Sequence, residues 1–212
     1  LTNGLGNTAI GFEAAKSVAG GNRNTVIGFE ALENGDVSDM TIMGYEAGTS
    51  VNSSDAAGST FIGTSAGTAV TNGQYNVALG YQSLTTETQG DRNTAIGYQA
   101  LTANYDGQYN TAIGAYALQD QDAGADAYNI AIGYETGKNV TTGTSNTLIG
   151  GLSGDALTTG NNNVAVGYSS LGAETAGDRN VAVGNFALQV QNNTTNEDVY
   201  NTAVGYGAGM SI

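Results

Sequence analysis

The residue types that most often catalyse reactions are missing from this sequence. The chain has 212 residues and contains neither His nor Cys. It therefore lacks the usual general base, thiol nucleophile and transition-metal ligands. Its Asp and Glu residues are scattered and form no distinctive carboxylate pair of the kind that hydrolyses glycosides. We expect that the chain is not an enzyme.

One recurring slot, immediately before an Asn, collects side chains that could stack on each other or on a ligand. It holds the three arginines of the chain, Arg23, Arg92 and Arg179, and four tyrosines, Tyr75, Tyr109, Tyr128 and Tyr200. In adjacent coils these side chains would form cation–π contacts of about 0.5–1 kcal/mol each. The column would be a structural ladder or a strip on which sugars stack. Tyr75, Arg92, Tyr109 and Tyr128 are therefore candidate receptor contacts.

A second column of charges lies two residues after a recurring Gly, at Glu13, Glu30 and Glu46. Stacked like charges destabilise a sheet unless they are solvated or bridged by a cation. The main expectation is a solvated acidic face, and the alternative is a Ca²⁺ site. No other cofactor or metal is expected.

The overall charge excludes two classes of partner. The formal net charge is −14, with only five Lys and Arg residues. Such a field repels phosphate backbones and anionic lipids, so we expect no binding to nucleic acid. No apolar stretch approaches the ~20 residues of a membrane-spanning helix, so we expect no membrane insertion.

The elements that position these columns are twelve copies of one motif, Asn-Thr-Ala-Ile-Gly-Tyr-x-Ala-Leu, which span residues 1–212 as a single domain. Successive anchor glycines are 16 to 21 residues apart. They are Gly11, Gly28, Gly44, Gly63, Gly80, Gly97, Gly114, Gly133, Gly150, Gly167, Gly184 and Gly205. A short β-branched run closed by Gly disfavours helix, and its recurrence predicts an all-β solenoid of about twelve coils that is stabilised by stacking. A second short strand is expected after each glycine.

The faces of the strand follow from its alternation. The fourth motif position is always aliphatic or Met, so we expect this position and the second, usually Thr, to face the core. A core location of the Thr column argues against an ice-binding surface. The third position would then face outward although it is apolar, which indicates contact with another copy of the chain. Candidate interface residues are Val26, Ile42, Phe61, Ala95 and Leu148.

Three longer intervals between anchor glycines recur at every fourth repeat, at 45–62, 115–132 and 185–204. Insertions in solenoids map to loops, often on the binding face. Further candidate receptor contacts are therefore Asn52, Ser53, Asp55, Gln119, Asp120, Asn192 and Thr194.

The motif resembles two groups of fibrous proteins. The run NTAIGYQAL at 93–101, with NTAIG at 7–11 and 110–114 and NTAVG at 201–205, resembles the repeats of bacteriophage tail fibres and of trimeric autotransporter adhesin heads. The resemblance implies a left-handed parallel β-roll, a homotrimer and a role in attachment. The adhesin-head repeat is shorter than 17 residues, and no anchor or fibre-end chaperone domain is visible here.

The sequence thus predicts a segment of a longer fibre protein on a virion or a bacterial surface. It would bind a cell-surface glycan or protein receptor, and the resemblance to tail fibres is the stronger of the two. The alternatives are an adhesin head, a spacer that carries a distal tip, and a monomeric solenoid that binds ice or glycans.

Overall fold

Each copy of the motif forms one short β-strand, and the strands pair in chain order. In the computed structural model, which describes residues 3–53, 56–124 and 126–210, all twelve strands belong to one parallel sheet. Each strand pairs with the next at the same motif position, as Thr94 does with Thr111. The bounds are β1 Thr8–Ile10, β2 Thr25–Ile27, β3 Thr41–Met43, β4 Thr60–Ile62, β5 Val77–Leu79, β6 Thr94–Ile96, β7 Thr111–Ile113, β8 Ile130–Ile132, β9 Thr147–Ile149, β10 Val164–Val166, β11 Val181–Val183 and β12 Thr202–Val204. The predicted all-β solenoid is confirmed, with about 11 turns and no helix among the described residues. The left-handed sense and the trimer stay predictions.

The anchor glycine is required because neighbouring coils approach closely where each strand ends. Gly97 has a φ of +137°, a backbone conformation that residues other than glycine rarely adopt. A Cβ atom built on it would lie 2.5 Å from the carbonyl oxygen of Gly114 in the next coil. The regular spacing of these glycines therefore reflects the close packing of one coil on the next.

The second strand expected after each glycine does not form, and this prediction is wrong. The chain turns there through residues with positive φ, such as Gln99 at 50° and Leu101 at 53°. Their N–H groups still bond to neighbouring coils, to Tyr81 O and Ala117 O, each at 3.0 Å. Alternating left-handed residues curl the chain and prevent an extended strand. Coil-to-coil hydrogen bonds hold this unusual backbone in place.

The expected direction of the two strand faces is also wrong. The third position points into the core of the single chain, and the proposed interface residues Val26, Ile42, Phe61, Ala95 and Leu148 are all buried there. The second and fourth positions point outward and are half-buried or exposed, as Met43 and Leu79 are at 40% and 42%. Alternation predicts that the faces differ, but it cannot say which is inside when both are apolar.

The interior is narrow, and the sizes of its residues compensate each other. Five of the twelve coils combine Ala at the third position with Leu four residues after the glycine, as in Ala95 and Leu101. Coils with a large third residue have Gly at that second site, as in Phe61 with Gly67 and Leu148 with Gly154. A Cβ on Gly67 would lie 2.7 Å from the Phe61 ring. Large and small residues thus compensate each other in these coils, whereas Ala131 and Gly137 are both small and the side chains of Leu118 and Leu148 from the neighbouring coils lie against Gly137.

The motif Asn forms an internal ladder that the sequence reasoning did not identify. The Asn93 side chain is fully buried. Its Nδ2 donates to Gly107 O at 2.7 Å, and its Oδ1 accepts the N–H of Asn110 at 2.9 Å. The same N–H to Oδ1 bond links Asn129, Asn146 and Asn163 in turn. Each Asn therefore satisfies backbone groups at a coil junction that would otherwise be buried and unpaired. Met40 and Ser59 replace Asn in two coils.

Candidate binding surfaces

The stack predicted before the motif Asn is present. The Arg92 guanidinium lies 5.6 Å from the ring centroids of both Tyr75 and Tyr109. Tyr109 stacks on Tyr128 at 4.8 Å with the ring planes 7° apart. Four of the candidate contacts therefore form one continuous column, in which Tyr75 and Tyr128 remain about half exposed.

Each arginine of this column also pairs with an acid. Arg23 Nε donates to Asp39 Oδ1 at 2.6 Å, and Arg92 lies 3.7 Å from Asp91. Arg179 pairs with Asp198 and lies 5.7 Å from the Tyr200 ring centroid. These contacts join neighbouring coils or neighbouring residues, which is what a structural ladder requires.

The three longer loops do not form one site. They follow β3, β7 and β11, so successive loops are four coils, or roughly 19 Å, apart. Asn52, Asp120, Asn192 and Thr194 are exposed, whereas Ser53 and Gln119 are half-buried, and Asp55 lies outside the described residues. All three loops reach the stacked column: Tyr75 N donates to Ala57 O of the first loop at 3.3 Å, Tyr128 donates to Asp126 at 3.1 Å, and Tyr200 donates to Asp198 at 2.9 Å.

A second aromatic ladder, formed by the residues just after the anchor glycine, runs along the outside of the coils. Phe12, Phe29 and Tyr45 stack at 5.2 and 5.4 Å. A second group continues from Tyr81 to Tyr134, and a third from Tyr168 to Tyr206. In two coils the aromatic is displaced by one residue, to Tyr116 and Phe186, and its ring turns edge-on to its neighbours. The sequence shows these aromatics, but their mutual contacts depend on the coil geometry.

The acidic column lies at the surface, and one of its three members is paired with a lysine. Glu13 accepts a hydrogen bond from Lys16 at 2.8 Å, and Glu30 and Glu46 lie partly exposed on the next two coils. Among the described residues, no cluster of three acidic side chains could hold a metal ion. The described part of the chain also has no enclosed pocket, so any ligand would have to contact its open faces.

The structure also contains buried acids that sequence reasoning missed. The seventh residue after the anchor glycine points inward and is aliphatic in five of the described coils, as in Val70 and Val140. Five coils carry a polar residue there instead: Glu87, Asn104, Gln121, Glu174 and Gln191. The signal available in the sequence was this substitution within an otherwise apolar column.

Glu87 is buried with few hydrogen-bond donors. Its carboxylate accepts the N–H of Gly90 and the amide of Asn104, and a longer bond of 3.3 Å from Asn93 Nδ2. Burial raises the pKa of Glu87 to about 8, because these bonds offset only part of the desolvation of the charge. Nearby, and among the described residues, Asn104 Oδ1 and Asn110 Nδ2 are buried without a hydrogen-bond partner.

Glu174 occupies the equivalent position five coils later and has many donors. Its Oε1 accepts the N–H groups of Thr175, Ala176, Gly177 and Asn193 at 2.8 to 3.2 Å. Its Oε2 accepts the side-chain amides of Gln191 at 2.7 Å and Asn193 at 2.8 Å. Burial alone would raise the pKa of Glu174, but these bonds lower it below its ordinary value.

Comparison with known proteins assigns neither a family nor a relative. No family model matches the chain, and no curated protein matches it. In the described residues, no helix is long and apolar enough to cross a membrane.

Proposed function

We propose that this chain is a segment of a fibrous attachment protein of the phage tail-fibre class, and that it assembles as a homotrimer through the outer face of its sheet. The observation that carries the proposal is the apolar column at the fourth motif position. It faces outward along all twelve strands and includes Ile10, Met43, Leu79, Ile132, Ile149 and Val204, each at least 36% exposed.

This face suits contact with a copy of the same chain. It continues over twelve coils, roughly 50 Å, and apolar patches of such extent are rare on monomeric proteins. Its half-buried second-position neighbours are Thr, Val or Ile, so its centre carries no charge. A chain of net charge −14 would repel its copies elsewhere, so an uncharged stripe favours contact here. The adhesin-head alternative makes the same prediction about assembly.

The test is the solution mass by light scattering. We expect three times the chain mass for the wild type. Replacing Ile96 and Ile113 by Lys should give monomers, because it places charges on the central strands of the outer face. The matched control is Gln89→Lys with Thr142→Lys, at two exposed positions outside the sheet, and it should remain trimeric. A monomeric wild type would overturn the assembly.

Attachment itself is tested by binding of the labelled trimer to a panel of bacterial cells. Asp120→Ala with Thr194→Ala alters two exposed loop residues and should reduce binding without changing the mass. A trimer that binds no cell would support the spacer role. Cell binding that is unchanged in this variant would remove the loops from the proposal.

Ice binding is a second candidate, because the Thr column lies outside and not in the core. Thr25, Thr41, Thr60, Thr94 and Thr111 stand half-buried on the outward side of one sheet. Val77, Ile130, Val164 and Val181 interrupt the column. A monomer that shows thermal hysteresis would favour this function, and a trimer without hysteresis would exclude it.

A further inference from the structure

The aromatic ladder after the anchor glycines leaves few of its ring faces free. Within each group, neighbouring rings stack in parallel or meet edge-to-face, as Tyr81 and Tyr98 do at 5.4 Å and 7°. A ring that is covered on both sides offers a ligand only its edge. Faces become available where the ladder is interrupted, which happens at two coils, at Thr64 and at Gly151.

The two interruptions differ in what occupies them. At the first, the exposed Thr64 side chain stands between the coils of Tyr45 and Tyr81. At the second, Gly151 has no side chain, and Tyr134 and Tyr168 stand one coil to either side, 55% and 48% exposed. Two coils separate these tyrosines by roughly 9.6 Å. That spacing leaves room for one saturated six-membered ring between them.

Tyr134 and Tyr168 border the space next to Gly151 but do not fill it. A Cβ atom built there would meet Tyr168 Cδ2 at 3.6 Å and the Tyr134 carbonyl oxygen at 3.9 Å, which are ordinary contact distances. The equivalent position in other coils carries Phe, Tyr, Thr, Ala or Asn, and Gly151 has no left-handed φ. The backbone therefore does not require glycine at this position, in contrast to the anchor glycines.

Polar groups lie on the same two coils as Tyr134 and Gly151. Tyr134 donates its hydroxyl to Glu135 Oε1 at 2.8 Å, and Glu135 lies 3.6 Å from Lys138 Nζ. Lys138 in turn lies 5.2 Å from the Tyr116 ring centroid. Asp155, which is half-buried, is close enough to Glu135 and Lys138 for both to influence its ionisation. Carboxylates accept hydroxyl hydrogens, and an ammonium group donates to ring or hydroxyl oxygens.

We propose that Gly151 forms the floor of a binding notch for a neutral pyranose, held between Tyr134 and Tyr168 with Glu135 and Asp155 as hydroxyl acceptors. The electron-rich ring faces attract the polarised C–H groups of a sugar. The strong negative charge of the chain disfavours sialic and uronic acids. This site deepens the proposed attachment function, since it names the class of receptor that the fibre would contact.

The test is saturation-transfer NMR on the assembled protein with the methyl glycosides of glucose, galactose, mannose and N-acetylglucosamine, and methyl α-sialoside as the anionic probe. At least one neutral glycoside should receive saturation, and the sialoside should receive none. Gly151→Thr, which reproduces the filled first interruption, should reduce the signal at least fivefold. Thr64→Gly, the matched change at the other interruption, should leave it undiminished.

Transfer to no neutral glycoside, or equal transfer in wild type and Gly151→Thr, would overturn the proposal. The solution mass separates this failure from that of the proposed function. If the protein is a monomer and its saturation transfer depends on Gly151, the sugar-binding notch is supported and the trimer is refuted. If the protein is a trimer and shows no transfer, the trimer is supported and the notch is refuted.

Discussion

Glu87 and Glu174 occupy the same position in two coils, yet their environments push their pKa values in opposite directions. Both side chains are fully buried in the narrow interior. The pKa of Glu87 is raised to about 8, and that of Glu174 is lowered. At neutral pH, Glu87 is therefore a neutral acid and Glu174 a buried anion.

The difference comes from both the turn that follows each acid and the next coil: Glu174 has three donors from its own turn and three from the next coil. In the coil that follows Glu174, the interval from Gly184 to Gly205 is the longest between anchor glycines. Its loop brings Asn193 back over the Glu174 carboxylate. After Glu87 the next coil has the ordinary length and supplies only the Asn104 amide. A buried charge is stable only when several donors compensate its desolvation.

The comparison of Glu87 with Glu174 also changes the role expected for the third loop, residues 185–204. Gln191 and Asn193 belong to the segment that the sequence marked for receptor contact, but the structure uses them to bind Glu174. Exposed Asn192 and Thr194 remain available at its surface. Deleting residues 192–195 would therefore disturb the core as well as any receptor contact.

The largest expected effect is the pH dependence caused by Glu87. The folded state keeps the proton of Glu87 up to pH about 8, whereas the unfolded chain loses it near 4.5. Raising the pH from 6 to 8 should thus lower the free energy of unfolding by about 1.4 kcal/mol per pH unit, and the effect should level off above pH 8. The chain has no His or Cys to titrate in this window. Thermal unfolding followed by circular dichroism at pH 6, 7 and 8 measures the slope.

Glu87→Gln is the control for this slope, since it resembles the protonated acid and does not titrate. The variant should be as stable as the wild type at pH 6 and more stable at pH 8. A wild type that is equally stable at both pH values would show that Glu87 is ionised in the fold.

The next effect is that of Glu174→Gln, which should destabilise the protein at pH 7 by about 2–4 kcal/mol. It removes the charge that six hydrogen bonds stabilise. The NH₂ group of the new Gln side chain would also face N–H groups that are themselves hydrogen-bond donors. The same substitution at Glu87 should cost little at this pH. Amide hydrogen exchange would locate the loss of protection around β10 to β12. Equal stabilities of the two variants would contradict the assigned difference between the acids.

The smallest effect separates the buried and exposed residues of the third loop. Asn193→Ala removes one donor to Glu174, the side-chain Nδ2, and should cost about 1–2 kcal/mol. It should also move the acid unfolding midpoint upward, because the stability that Glu174 contributes above pH 4.5 would be lost at a higher pH as the solution is acidified. Thr194→Ala, at the exposed neighbour, should change neither quantity, and urea unfolding at pH 7 and pH 4 tests both.

Much of the fold was predictable because one repeat of the sequence corresponds to one coil of the structure. The anchor glycines located all twelve strands, and the Arg and Tyr residues before each Asn located the stack of Tyr75, Arg92 and Tyr109. Constant spacing places equivalent residues above each other in any stacked arrangement. These predictions therefore needed no knowledge of where the interior lies.

The candidate sites were less predictable because they depend on which side is inside. Phe61 and Leu148 were assigned to an interface and lie in the core, although their pairing with Gly67 and Gly154 already marked a shared interior in the sequence. The left-handed residues after each glycine left no sequence pattern, since Gln99 and Leu101 are ordinary residues in that role.

The sequence by itself therefore determined the number of strands and the columns of equivalent side chains, because these follow from spacing alone. Only the tertiary structure decided which apolar column is core, which glycine leaves an opening, and which buried glutamate is charged. Those properties depend on atoms contributed by the neighbouring coils, and the distance from Asn193 to Glu174 is set by the path of a loop that composition does not specify.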